Sequence, residues 1–89
     1  MPSLPEVSFQ PVLVASRDDS EGQLVFADSY LIGVLVRLSS LHEAAAGSWF
    51  LEQAFGGLAG PAHPAFDDLD AARAWFERRL PLLRLTAPD

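Results

Sequence analysis

His42 and Glu43 stand side by side, as in the opening of the HExxH pattern that places two imidazoles on one helix face to hold zinc. The pattern needs a second histidine four residues on, and Ala46 stands there instead. His63 is the other imidazole of the chain, and with Asp67 it could complete a set of three donors. That spacing matches neither a closed structural zinc site nor an open catalytic one. Asp18, Ser20 and Gly22 follow the spacing of a calcium loop, but the distal bidentate glutamate is missing. A polar hairpin turn accounts for them. Gly57-Leu58-Ala59-Gly60 follows an extended segment, yet it is neither a dinucleotide fingerprint nor a phosphate loop. Ser39, Ser40 and His42 lie close in sequence without an acid to orient the histidine. Asp67 and Asp68 precede a helical pattern, so capping explains them better than acid–base chemistry. Trp49 and Trp75 could stack a ligand, but their periodicity suits a core. No cofactor and no metal is therefore expected.

Composition narrows the partners. The chain of 89 residues carries 12 acidic and 6 basic residues, for a net charge of −6. All the basic residues are arginine. Nucleic-acid binding needs a basic stripe to displace counterions, and Arg73, Arg78, Arg79 and Arg84 are interspersed with Asp70 and Glu77. An anionic membrane surface is disfavoured for the same reason. There is no cysteine, which excludes disulfides and thiolate chemistry. The start, MPSLPEVSF, lacks the basic and apolar regions of a secretory signal. The longest apolar run, Tyr30 to Val36, is far shorter than the roughly 20 residues that span a bilayer. A soluble, cytoplasmic protein is expected, with no nucleic-acid and no membrane partner. Abundant Ala, Leu, Arg and Pro without Lys suggests a GC-rich bacterial coding sequence.

The elements follow from alternation and breakers. Residues 1–6 form a loose arm with two prolines. Val7 to Ser16 reads as an edge strand or a strand broken at Pro11, because Pro11 cannot donate to a ladder. Arg17 to Gly22 is a hairpin loop, Gln23 to Ala27 a second strand, Asp28-Ser29 a tight turn, and Tyr30 to Ser40 the third strand. Residues 41–48 suit a helical turn or a loop. Trp49 to Phe55 is the fourth strand, and Gly56 to Pro64 an irregular connection. A helix follows, capped by Asp67 or Asp68 and stopped at Pro81. Its apolar arc is Leu69, Ala72, Trp75, Phe76 and Leu80, and Arg73 and Glu77 should pair on the wet side. Residues 82–89 form a tail. The fold class is α+β in one domain: a four-stranded antiparallel meander with one C-terminal helix on one face.

Strict alternation sorts the side chains into two faces. The turn at Asp28-Ser29 pairs Ala27 with Tyr30 and, by regular continuation, Val25 with Ile32 and Leu24 with Gly33. The helix then covers Val25, Ala27, Tyr30, Ile32, Val34, Val36 and Leu38. Arg37 and Glu52 fall together as a cross-strand pair on the second face, which also takes Ala54. Leu24, Phe26, Leu31, Gly33, Leu35 and Phe50 form an uncovered apolar surface there. Each large apolar side chain left in water forfeits about 1.5–3 kcal/mol, so the surface needs a partner. A homodimer through this face is expected, with another protein, the C-terminal LPLLRL tail or a small ligand as the other candidate occupants. The function read from it is a non-enzymatic, self-associating interaction or accessory module. The alternative is a small-molecule binder or small enzyme. Its pocket would lie between sheet and helix or at a dimer seam, with Arg37, His42, Glu52 and His63 as polar groups.

Overall fold

The computed structural model describes residues 4–15, 21–38, 47–58 and 63–84. Five antiparallel strands run in chain order across one sheet: β1 Val7–Leu13, β2 Glu21–Ala27, β3 Tyr30–Arg37, β4 Trp49–Ala54 and β5 Ala65–Phe66. Helix α1, Leu69–Arg79, packs on one face, followed by a 3₁₀ turn at Leu80–Leu82. The class is α+β, with one strand more than alternation reveals. A strand of two residues has no alternation to read. Strand β5 pairs Trp49 with Phe66 and so carries the chain from the sheet straight into the helix. No helix among the described residues is long and apolar enough to cross a membrane.

The helix is set by local chemistry. Asp68 Oδ1 accepts from the Ala71 N–H at 2.8 Å, satisfying one of the free donors of the first turn. Asp70 lies in that turn, and Arg78 and Arg79 in the last one, each complementing the helix dipole. Ala72 and Phe76 are fully buried, and Leu69 and Trp75 pack at the margin of the same core. Arg73 does not pair with Glu77 as the helical spacing suggests. It reaches across to the Val7 carbonyl on β1 and lies over the Phe9 ring. An exposed ion pair at that spacing is worth a few tenths of a kcal/mol, whereas a strand-edge carbonyl otherwise lacks a partner.

The turn between β2 and β3 is the two-residue one expected, with Ala27 opposite Tyr30. Asp28 takes a positive φ of 52°, which its short polar side chain tolerates. Asp28 also anchors the preceding chain. It donates its N–H to the Glu6 carbonyl and accepts the Glu6 N–H at Oδ1, both within 3.0 Å. The arm expected to be loose through residue 6 is therefore tied down at Glu6.

Two bulges change the faces. Phe26 stands opposite Leu31, but Val25 stands opposite Gly33, so Ile32 is an extra residue on β3. Regular pairing of Val25 with Ile32 is thus replaced, and every later residue of β3 changes side. The cause is visible at Gly33. A Cβ there would lie 2.5 Å from Cζ of the buried Phe76 ring. The bulge delivers the one residue without a side chain to the spot where the helix comes closest. Glu52 is extra on β4, since Val34 opposes Gln53 and Leu35 opposes Leu51. That lets Leu51 and Ala54, three apart, both reach the core. Phe76, Ile32, Leu35, Leu51, Leu58 and Val25 are the largest fully buried side chains.

Candidate functional site

Cross-strand pairs share a face, so the register defines the surface opposite the helix. Phe26 and Leu31 form one pair, Leu24 and Val34 the next. Val36 follows, flanked by Gly22 and Phe50 in the neighbouring strands. Val12 lies beside Gly22, where a Cβ would press on Val12 and Val14. The result is an apolar strip across β2, β3 and β4 that reaches β1 only at Val12, because Ser8 beside Phe26 and Gln10 beside Leu24 are polar. Leu24, Phe26, Val34 and Phe50 are half-buried within the sheet, and Leu31 is exposed. Among the described residues, no helix or strand packs on this strip. Within the described strands, Glu52 is its one charged side chain, beside Gln53.

The structure redistributes the residues expected there. Leu24, Phe26, Leu31 and Phe50 are on the open face. Gly33 lies under Phe76, and Leu35 is 0% exposed within the helix-covered core. Both leave the surface because of the extra residue at Ile32. Val34 and Val36, expected beneath the helix, turn to the opposite side, Val34 half-buried and Val36 buried at 5% exposure, and Ala54 moves to the core. Tyr30, also expected in the core, is half exposed beside the turn. No sequence signal distinguishes these patterns, because both faces of β3 are apolar.

The polar candidates do not converge. Arg37 Nη1 meets Glu21 Oε2 at 3.1 Å, its neighbour across β2, rather than Glu52. His63 bonds the Leu51 carbonyl through Nδ1 at 3.0 Å and stacks on Phe50 with centroids 6.2 Å apart. Glu52 is exposed on the bulge of β4. His42 lies outside the described residues. A hollow of about 460 Å³ is lined by Gly57, Pro81, Leu82, Leu83 and Arg84, between the loop after β4 and the end of the helix. None of the four polar candidates is among those lining residues. The described residues contain no group of three His, Cys, Asp or Glu side chains disposed to hold a metal ion. No protein-family model, curated protein or solved structure matches this chain.

Proposed function

We propose that the chain is a non-enzymatic, self-associating interaction or accessory module, and that its open sheet face packs against the same face of a second copy. The observation that carries this reading is the strip of half-buried and exposed apolar side chains Leu24, Phe26, Leu31, Val34 and Phe50 on the side opposite the helix. The occupant follows from charge. Each chain carries a net −6, so two copies repel unless they meet where charge is scarce. The strip offers that place, with Glu52 at its margin.

The size of the face sets the strength. Strands lie about 4.8 Å apart and rise about 3.3 Å per residue, so the whole four-strand face of about seven residues per strand, with polar Ser8, Gln10 and Gln53 included, covers roughly 19 by 23 Å. That is about 440 Å² in projection, and side-chain relief increases it towards the roughly 600–800 Å² per partner of modest specific interfaces. Association should therefore depend on concentration. Light scattering across a wide concentration range tests it, comparing the wild type with Phe26→Asp. The expected outcome is a wild type that moves from monomer to dimer mass, and a folded variant that stays monomeric. A wild type that remains monomeric throughout, or a variant that dimerises equally well, overturns the proposal. A monomer would leave the strip to a different protein.

A further inference from the structure

The register also fixes which backbone groups the sheet presents at its edges. Asp28 donates to the Glu6 carbonyl, so Glu6 turns its groups towards β2. Bonding alternates along an antiparallel strand, and Val7, Phe9, Pro11 and Leu13 therefore aim theirs outwards. Pro11 has no N–H to offer at that edge. Arg73 Nη1 donates to the outward carbonyl of Val7, and its guanidinium carbon sits 4.9 Å from the centre of the Phe9 ring. At the other side of the sheet, β5 ends after two residues. Leu51 on β4 donates its N–H to the Pro64 carbonyl at 2.9 Å. Its own carbonyl takes His63 Nδ1, and the imidazole lies over Phe50 at an interplanar angle of 19°.

The two sides of the sheet thus share one construction, at the β1 edge and at the β4 carbonyl that Pro64, lacking an N–H, leaves open beside β5. A planar side-chain donor occupies an outward carbonyl and rests on a phenyl ring close by in the same strand. Both the guanidinium and an imidazole with its proton on Nδ1 donate whether or not the histidine is charged. Each contact uses up an acceptor that an incoming strand would need, and each places a bulky group across its path. We propose that Arg73 and His63 are edge guards that prevent a second copy of this chain from adding its β1 to the sheet. The excluded partner is another β1 because every copy presents the same outward groups at Phe9 and Leu13, and the Leu13 side chain is 86% exposed. Arg73 lies on the helix side of the sheet, so its part of the proposal is independent of what covers the open face, whereas His63 stacks on Phe50 at the margin of that face.

The test compares Arg73→Ala, Arg73→Lys, the double variant Arg73→Ala with Leu13→Lys, and His63→Ala. Each is followed by circular dichroism, light scattering and amide exchange. Arg73→Ala is expected to remain folded and to form species heavier than the wild type as concentration rises. The Phe9 and Leu13 amides should slow by about tenfold or more in those species. Arg73→Lys keeps a donor and should retain the wild-type mass. Adding Leu13→Lys places a charge on the bare edge and should reverse the association, which loss of packing would not allow. His63→Ala should shift the mass in the same direction by less, because β5 still covers part of that edge. A folded Arg73→Ala with the wild-type mass at every concentration overturns the proposal, and so does heavier mass that Leu13→Lys fails to reverse. If Arg73→Ala does not fold, an unchanged mass for the exposed His63→Ala overturns it.

Discussion

The two faces of β3 are nearly equal in hydrophobicity and opposite in fate. One carries Ile32, Gly33 and Leu35 beneath Phe76, and the other carries Leu31, Val34 and Val36 on the open side. Apolar content does not separate them. What separates them is shape, because the helix needs a place where a phenyl ring can lie on bare backbone. Gly33 alone provides it, and the bulge at Ile32 turns it inwards. Burial on one face is decided by how closely an element can approach, while on the other face no helix or strand among the described residues covers the apolar side chains.

The comparison breaks most sharply at Leu35. Leu35→Asp would bury a carboxylate without a partner in the core, a cost of several kcal/mol that exceeds the stability of a small domain. Loss of the folded circular dichroism spectrum is expected. Gly33→Ala would force a methyl against the buried Phe76 ring and cost about 1–3 kcal/mol, read as a lowered denaturation midpoint. An unchanged midpoint would mean that the helix does not rest on Gly33. Phe26→Asp, the same type of change on the open face, should cost the monomer only about 1 kcal/mol while removing association. The smallest effect is in the opposite direction. Gln23 Oε1 is buried without a hydrogen-bond partner among the described residues, so Gln23→Leu removes an acceptor unsatisfied there at similar size. A gain of about 0.5–1 kcal/mol in denaturant unfolding is expected.

Much of this fold can be read locally. Asp68 as the cap, the arc of Ala72 and Phe76, the tight turn after Ala27 and the edge position implied by Pro11 all depend on neighbours a few residues apart. The fifth strand is invisible for the opposite reason. Ala65 and Phe66 become a strand only because Trp49 and Phe50 lie beside them. The roles of Arg73 and His63 are equally hidden. Arg73 acts on Val7, 66 residues away, and nothing near it in sequence marks that partner. Helical spacing pointed it at Glu77, and an unsatisfied edge carbonyl was the better partner.

The surface strip shows where local reading ends. Leu24, Phe26 and Leu31 lie where regular alternation puts them, because the turn at Asp28 sets the parity near it, and Phe50 reaches the same face opposite Val36 rather than through the expected Arg37–Glu52 pair. Beyond Leu31 one extra residue inverts the parity, and Gly33 and Leu35 exchange sides with Val34 and Val36. Sequence by itself determined an α+β chain with an antiparallel meander, a capped C-terminal helix and more apolar strand surface than one helix can cover. Periodicity, caps and breakers act over a few residues, so they are written locally. Only the tertiary structure decided which apolar side chains face the helix and which backbone groups the edges withhold. Those choices depend on contacts between residues far apart in the chain, above all the seat of Phe76 on Gly33 and the reach of Arg73 to Val7.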